Sequence, residues 1–192
     1  SANFGNMFSM AGASLFLPFL PMLPTQILLN NFLSDVPGTT IAGDNVDPEW
    51  VAKPRRWNTK FIRNYMVLFG LVSSIFDFLT FGVLLFIFRA SPEEFRTGWF
   101  IESLMTELVI AMVVRTRRVF FRSRPGTLLW VSTVIVIAIT IVLPYLPFAG
   151  IFGFIPLPAP LMLTVLGLTG LYVLVTEIAK KFFYSKIENA SA

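Results

Sequence analysis

Apolar residues occur along this chain in long runs, separated by short segments that hold most of the charges and prolines. A helix needs about 20 mostly apolar residues to cross the hydrocarbon core of a bilayer. The pattern therefore predicts an all-α membrane protein, a six-helix transmembrane bundle. The predicted helices occupy residues 3–20, 22–40, 64–88, 99–114, 127–145 and 160–180.

Prolines crowd the junction of the first two predicted helices. Pro18, Pro21 and Pro24 lie within the segment LPFLPMLP, and Pro37 lies near the end of the second helix. Proline lacks a backbone N–H, and its ring clashes with the preceding helical turn. We therefore expect the first two helices to be interrupted by proline and to form a hairpin.

Lysine and arginine are distributed unequally among the predicted loops. They cluster between the second and third helices, between the fourth and fifth, and after the sixth, whereas the loops on the other side hold only Arg89 and Arg96. Basic residues accumulate in cytoplasmic loops, so both ends of the chain are expected in the cytoplasm. Because these clusters border predicted spans, topology and attraction to anionic lipid explain them. Membrane lipid is therefore an expected partner, and nucleic acid is not.

The composition agrees with a lipid environment and limits the kinds of metal site and catalytic group that the chain can contain. Hydrophobic residues make up 55% of the 192 residues and charged residues 14%, a balance outside that of ordinary soluble domains. The chain has no histidine and no cysteine, which excludes imidazole and thiolate metal sites, Cys or His catalysis and disulfides. It begins at Ser1 without an initiator methionine, so we expect a piece of a longer protein.

Two acidic residues in the predicted spans have an interfacial explanation. A charge in the bilayer core costs at least about 2.5 kcal/mol, so each one needs an escape to the interface or a function. Glu177 precedes Lys180 by three residues and Lys181 by four, which predicts a helical ion pair that snorkels to the cytoplasmic surface. Glu102 lies one turn from Trp99, a predicted interfacial tryptophan, and is expected at the outer interface, with a place on the ion path as the alternative.

Two other acidic residues lie deeper and have no such escape. Asp77 shares a helix face with Ser73 and Ser74, one turn earlier, which favours either a hydrogen-bonding clamp between helices or ion ligation. Glu107 has no basic residue within a helical turn, so a binding site and a structural polar contact are both open.

The strongest candidate site lies in the segment QILLNNFLSDVPG. Asp35 follows Pro24 by eleven residues, which at 1.5 Å per residue is roughly 16 Å, close to the middle of a bilayer. Asn31 precedes Asp35 by four residues and Ser34 adjoins it, so a carboxylate, an amide and a hydroxyl lie close together. Pro37 and Gly38 are expected to break the hydrogen-bond ladder of the helix and leave backbone carbonyls free. Such hard oxygen ligands suit Mg²⁺ or Ca²⁺.

The first predicted helix offers matching ligands. Asn3 and Asn6 lie about one turn apart within SANFGN. Two interrupted helices that expose oxygen ligands at the bilayer midplane form the ion site of many transporters. The alternative is that Pro37 ends the second helix at the surface and leaves Asp35 and its neighbouring asparagines as a cap in water.

Six motifs follow one another along the chain: SANFGN, LPFLPMLPTQILLNNFLSD, KPRRW, SSIFDFLTF, TGWFIESLMTEL and VVRTRR. Their order resembles the C-terminal membrane region of P-type cation-transporting ATPases, most closely the bacterial magnesium-importing branch. The resemblance runs from Ser1 to about Lys181.

This resemblance implies that the chain contains the last six membrane helices of such a pump and holds its cation ligands. Calcium pumps carry a glutamate at the position of Asn6, so one carboxylate fewer here favours Mg²⁺, which stays partly hydrated. Mg²⁺ would be the transported ion, and it would also accompany ATP in the full-length protein. The implied ligands are Asn3, Asn6, Asn31, Ser34 and Asp35, with Glu107 where the eighth helix of calcium pumps supplies a ligand.

The resemblance also implies an organisation and partners. The family's phosphorylation sequence, Asp-Lys-Thr-Gly-Thr, does not occur in the chain, so this fragment would depend on the N-terminal helices and cytoplasmic domains of the same pump. The expected location is a bacterial or archaeal plasma membrane. Alternatives are a non-catalytic six-helix channel or accessory subunit, or a pump for another cation such as calcium.

The expected parts of the chain are an ion-site hairpin at 1–41, a cytoplasmic basic loop at 42–63, a four-helix supporting region at 64–181 and a cytoplasmic tail at 182–192.

Overall fold

The computed structural model describes residues 2–48, 59–116 and 118–190, and within these ranges the protein is helical and contains no strand. The predicted number of helices is confirmed. Part of the predicted basic loop, with Lys53, Arg55 and Arg56, lies outside the described residues. The helices are α1 (Ala2–Ser14), α2 (Pro24–Thr40), α3 (Thr59–Gly82), α4 (Pro92–Val114), α5 (Thr127–Val142) and α6 (Ala159–Ala190).

Within the described ranges, four segments are long and apolar enough to cross a membrane, which agrees with a multi-pass helical membrane protein. α3 has 24 residues and is followed by a π-helical turn, whereas α5, with 16 residues, reaches the length together with a short 3-10 turn. α1 and α2 have only 13 and 17 residues, and their spanning of the bilayer remains a prediction. The four segments are Thr59–Ile87, Pro92–Val114, Thr127–Tyr145 and Ala159–Ser185.

The helix starts follow local sequence signals. Pro92 occupies the first turn of α4, where its missing N–H costs nothing. The Ser91 hydroxyl accepts a hydrogen bond from the Glu94 N–H at 3.2 Å, and the Glu94 carboxylate accepts one from the Ser91 N–H at 2.8 Å. This capping box fixes the start of the most buried helix. Pro24 likewise occupies the first turn of α2, and the Gln26 side-chain oxygen accepts a hydrogen bond from the Leu23 N–H at 3.0 Å.

Pro37 lies inside α2 and does not end it, contrary to the alternative interpretation of the sequence. The helix continues to Thr40, although Pro37 cannot donate a backbone hydrogen bond. The hydroxyls of Thr39 and Thr40 donate to the carbonyls of Val36 and Pro37 at 2.8 and 2.7 Å, which binds the last turn to the helix. Pro18 and Pro21 lie in the connection between α1 and α2 and interrupt neither helix.

α1 and α2 pack mainly on different helices. α1 lies along α3, whereas α2 lies along α5 and α4. A Cβ atom on Gly5 would lie 2.9 Å from both the Gly70 oxygen and the Ser73 Cβ, so α1 meets α3 almost backbone to backbone. Ser74 donates to the Gly5 oxygen at 3.1 Å and adds to this contact. The predicted hairpin contact between α1 and α2 stays a prediction.

The Glu177–Lys180 pair is present, but the predicted snorkelling is wrong for Lys180. Its side chain is only 1% exposed, and the ammonium lies 2.9 Å from a Glu177 oxygen. It also donates to the carbonyls of Val113 and Arg118, at 3.0 and 2.8 Å. Val113 lies in the last turn of α4, where backbone carbonyls lack helical partners. Lys180 therefore caps α4 from α6 instead of reaching the surface.

A buried polar network, which the sequence analysis missed, joins the segment after α2 to the segment between α4 and α5. Arg115 forms an ion pair with Asp44 at 2.6 Å, and the Gly126 N–H donates to the other Asp44 oxygen at 2.7 Å. Asp47 accepts hydrogen bonds from the hydroxyls of Thr116 and Ser123, the second at 2.7 Å. Burial acts to raise the pKa of Asp47, but these bonds and the nearby arginines outweigh it and lower that pKa below its usual value.

We expect Asp47→Asn to weaken this connection and to reduce its acid sensitivity. Because the Asp47 pKa is lower in the folded protein, its stabilisation is present above about pH 4 and is lost as pH falls through the folded-state pKa. Asparagine should lower stability near neutral pH by about 1–3 kcal/mol, because a buried donor loses its charged acceptor. Thermal unfolding of the purified full-length protein, followed from pH 7 downward, measures both effects.

Glu93→Gln is the matched control, because Glu93 is exposed at the start of α4. It should leave the unfolding temperature and its pH dependence close to those of the wild type. If Asp47→Asn gave the same curve as this control, the network would not contribute to stability.

Candidate cation site

The structure brings all six predicted site residues to two cavities between α1, α2 and α4. The first cavity has a volume of about 430 Å³ and is lined by Asn3, Asn6, Asn31 and Asp35, together with apolar side chains. The second has a volume of about 280 Å³ and is lined by Asn3, Ser34, Asp35 and Glu107. Asn3 and Asp35 line both cavities, so the two spaces form one candidate site.

The arrangement follows from helical spacing on two separately packed helices. Asn31 and Asp35 are one turn apart on α2, and both are exposed to the space beside it. Ser34 donates its hydroxyl hydrogen to the Asn31 carbonyl at 3.0 Å, which leaves the hydroxyl lone pairs available. Asn3 and Asn6 flank Gly5, whose close contact with α3 fixes the position of α1.

Two amide oxygens at this site are buried and have no hydrogen-bond partner among the described residues. They are the Oδ1 atoms of Asn6 and Asn30. A buried polar atom without a partner costs free energy, so native structures rarely leave one unless water or an ion meets it. The unsatisfied oxygens therefore fit a site that accepts a cation or its bound water.

Asn30 is a site residue that the sequence analysis did not select. Its side chain is 4% exposed, and its amide nitrogen donates to a Glu107 oxygen at 3.1 Å. This bond joins α2 to α4 at the boundary between the two cavities. Asn31 was selected because it lies four residues before Asp35, and an adjacent Asn-Asn pair was the only sequence signal for Asn30.

The donor set consists mostly of neutral oxygens. Within the described ranges, no three carboxylates lie close enough together to hold a metal ion by themselves. Asp35 and Glu107 are the acidic residues that line the cavities, and amides and a hydroxyl supply the remaining polar atoms. Hard oxygen ligands with room for water suit Mg²⁺, which dehydrates reluctantly and usually keeps several waters.

Apolar side chains close the remainder of the first cavity. The sulfur-containing residues Met7, Met10 and Met22 line it together with Ile27 and Trp99. Trp99 is fully buried, with 0% exposure, so its predicted interfacial position is wrong. The Trp99 ring forms part of the cavity wall on α4.

Glu102 is also fully buried, and its predicted interfacial position is wrong as well. The reason is that α4 lies at the centre of the bundle, in contact with α1, α2, α3, α5 and α6, so this turn faces other helices instead of the membrane surface.

Asp77 forms the predicted clamp between helices. One carboxylate oxygen accepts a hydrogen bond from the Ser9 hydroxyl of α1 at 2.6 Å, and the other accepts one from the Trp99 indole of α4 at 2.8 Å. Asp77 thus holds α1, α3 and α4 together beside the first cavity. Ser73 and Ser74, which the sequence placed with it, lie at the α1–α3 contact.

These features define a multi-pass helical membrane domain with an oxygen-lined cavity between two short helices. The chain belongs to the family described as "Cation transporting ATPase, C-terminus", which matches residues 19–182. Membership confirms the resemblance of the motifs to P-type cation-transporting ATPases.

Individual relatives carry more specific names. The chain is 41% identical over 188 residues to "Magnesium-transporting ATPase, P-type 1" of Escherichia coli (strain K12), which covers 95% of this chain. Two proteins of the same name from Salmonella typhimurium (strain LT2) are 40% identical over 188 residues and 35% identical over 191 residues, covering 95% and 97% of the chain. The chain spans 21% of the length of each of these relatives.

Proposed function

We propose that this chain is the cation-translocating membrane part of an ATP-driven P-type pump and that its transported ion is Mg²⁺. The observation that carries the proposal is the cavity shared by Asn6, Asn31 and Asp35, which lies in a chain of the cation-transporting ATPase family. The relatives are named magnesium-transporting ATPases, which supports magnesium as the ion.

Asp35 is the proposed central ligand, because it lines both cavities and carries a negative charge. Asn3, Asn6 and Asn31 would supply amide oxygens. Glu107 and Ser34 would act from the second cavity, and Asn30 would orient Glu107 through its hydrogen bond. With so few carboxylates, the ion would keep part of its water, which Mg²⁺ tolerates better than complete dehydration.

The separate packing of α1 and α2 supports a transport role. α1 packs mainly on α3 and α2 mainly on α5, so a shift of α1 with α3 relative to α2 with α5 would change the space between Asn6 and Asp35. In the proposed pump, ATP-dependent domains elsewhere in the protein would drive this shift and alternate access to the site. The partners would be those domains, the N-terminal helices and membrane lipid. The proposed location is the plasma membrane, with both ends of the fragment in the cytoplasm.

The full-length protein in sealed lipid vesicles tests this proposal. ATP should drive Mg²⁺ across the vesicle membrane, and calcium at equal concentration should be transported more slowly, because the site has only two acidic ligands. Calcium transport without magnesium transport would make the protein a calcium pump. Flux that is independent of ATP would indicate a channel, and absence of flux an accessory subunit.

A further inference from the structure

Two buried acidic side chains lie near each other outside the proposed cation site, at the centre of the helix bundle. Asp77 of α3 and Glu102 of α4 are 1% and 0% exposed. Trp99 donates its indole N–H to Asp77 at 2.8 Å, and Glu102 follows Trp99 by three residues on α4, so its side chain lies on the same face of α4, towards Asp77. Neither residue lines the two cavities described above.

The hydrogen bonds distinguish the two carboxyl groups. Both oxygens of Asp77 accept hydrogen bonds, from Ser9 and Trp99. Neither oxygen of Glu102 receives a hydrogen bond from any residue that the structure describes, although both are fully buried. An ionised carboxylate in such surroundings would be extremely unfavourable.

One proton shared by the two carboxyl groups would remove the unfavourable burial of two negative charges. Ionised carboxylates are acceptors only, so two of them cannot hydrogen-bond to each other, whereas a protonated carboxyl group donates. Glu102 with one proton would donate to Asp77, and Asp77 would remain the carboxylate that Ser9 and Trp99 stabilise. The pair then carries one negative charge in place of two.

Other polar side chains complete the surroundings of the pair. Tyr172 of α6 is fully buried, packs its ring against Phe76 next to Asp77, and has a hydroxyl without a close hydrogen-bond partner in the described chain. Ser9 of α1 and Trp99 of α4 contact Asp77 directly. Polar groups from three helices, α1, α4 and α6, thus surround the carboxyl pair.

A thin wall separates the pair from the first cavity. Trp99 lines that cavity and donates its indole N–H to Asp77. Ser103, the residue after Glu102, lines the same cavity, and its buried hydroxyl has no described partner. A divalent cation in the cavity would lie close to the pair across a poorly polarisable medium, where electrostatic interactions are strong. Its charge would favour loss of the shared proton.

We propose that Asp77 and Glu102 form a proton-binding site that holds one proton while the first cavity is empty and releases it when a divalent cation binds there. In this step the Glu102 O–H bond breaks, the proton passes to water in the cavity, and the electron pair stays on the carboxylate. The charge of the pair changes from −1 to −2, which offsets part of the incoming charge. The inference rests on the proposed cation site.

Proton release on Mg²⁺ binding tests the proposal. Purified full-length protein in weakly buffered detergent solution is mixed with Mg²⁺, and a pH indicator reports released protons while calorimetry reports bound Mg²⁺. Glu102→Gln should bind the same number of Mg²⁺ ions and release one proton fewer per ion. Glutamine has nearly the same shape and can donate an N–H to Asp77, so the fold should be retained. Glu93→Gln, an exposed substitution on the same helix, should match the wild type.

The outcomes separate this inference from the proposed function. Equal proton release by Glu102→Gln and the wild type, with Mg²⁺ bound to both, would overturn the proton site and leave the cation site standing. A lower number of bound Mg²⁺ ions in Glu102→Gln would make the pair a cation site and also overturn the inference. Absence of Mg²⁺ binding to the wild type would overturn both proposals.

Infrared difference spectroscopy keeps the inference testable if Glu102→Gln does not fold. Mg²⁺ addition to the wild type should remove a carbonyl band of a protonated carboxyl group. In Glu102→Asp, which retains an acidic group, that band should shift in frequency. An absent band in the wild type, or a band that is identical in Glu102→Asp, would contradict the assignment.

Discussion

Asp35→Asn in the full-length protein is expected to abolish ATP-driven Mg²⁺ transport and to weaken Mg²⁺ binding about 30-fold or more. Asp35 lines both cavities and is one of two acidic residues that do so. Removing one charge from a close pair of opposite charges costs about 2–5 kcal/mol, and each 1.4 kcal/mol is a factor of about ten in affinity. Asparagine retains the shape of the side chain, so the protein should still reach the membrane.

Thr39→Ala provides a matched control for this experiment. Thr39 lies one turn from Asp35 on the same helix, is exposed, and bonds only to the Val36 carbonyl of its own helix. Its removal should leave binding and transport within about twofold of the wild type, since the bond is local and solvent-exposed. Calorimetry without nucleotide and vesicle transport measure the two variants side by side. Normal transport by Asp35→Asn would remove Asp35 from the site.

Lys180→Met is expected to have the largest effect on stability. The Lys180 ammonium is buried and binds two backbone carbonyls and Glu177. Methionine fills much of the volume but leaves the Glu177 carboxylate without its cation, and breaking a buried ion pair costs about 3–5 kcal/mol. The unfolding temperature of the purified full-length protein in detergent should fall by several degrees.

Two further variants identify the cause of this loss. Lys181→Met removes a lysine from the exposed side of the same helical turn and should leave the unfolding temperature nearly unchanged. Glu177→Gln combined with Lys180→Met removes the uncompensated charge and should recover part of the loss. If Lys180→Met and Lys181→Met unfolded at the same temperature, the buried pair would not stabilise the bundle.

The helices were largely predictable because their signals are local. About 20 apolar residues in a row predict a spanning segment whatever surrounds them. The four long helices lie close to their predicted positions, and α2 reaches Thr40 as expected from its predicted range. The alternative that Pro37 ends α2 was wrong, because its missing N–H removes one hydrogen bond whereas several others hold the last turn, from the Ile41 N–H and from the Thr39 and Thr40 hydroxyls.

The residues of the candidate site were predictable from the sequence, but the hydrogen bonds that join them across helices were not. Residues four apart share a helix face, which placed Asn31 with Asp35, and both line the first cavity. The Asn30–Glu107 bond spans 77 residues of sequence and exists because α2 packs on α4. Helical periodicity defines the faces of one helix but does not say which neighbour each face will meet.

Sequence alone therefore determined a helical membrane domain and the oxygen-bearing residues of its candidate site, because apolar length and helical spacing are properties of single segments. Only the tertiary structure decided where the remaining charges lie. Glu102 and Lys180 resemble interfacial residues in the sequence, yet both are buried, since α4 is surrounded by other helices. The pairing of Glu102 with Asp77 and of Lys180 with the end of α4 depends on contacts between helices, which no local pattern contains.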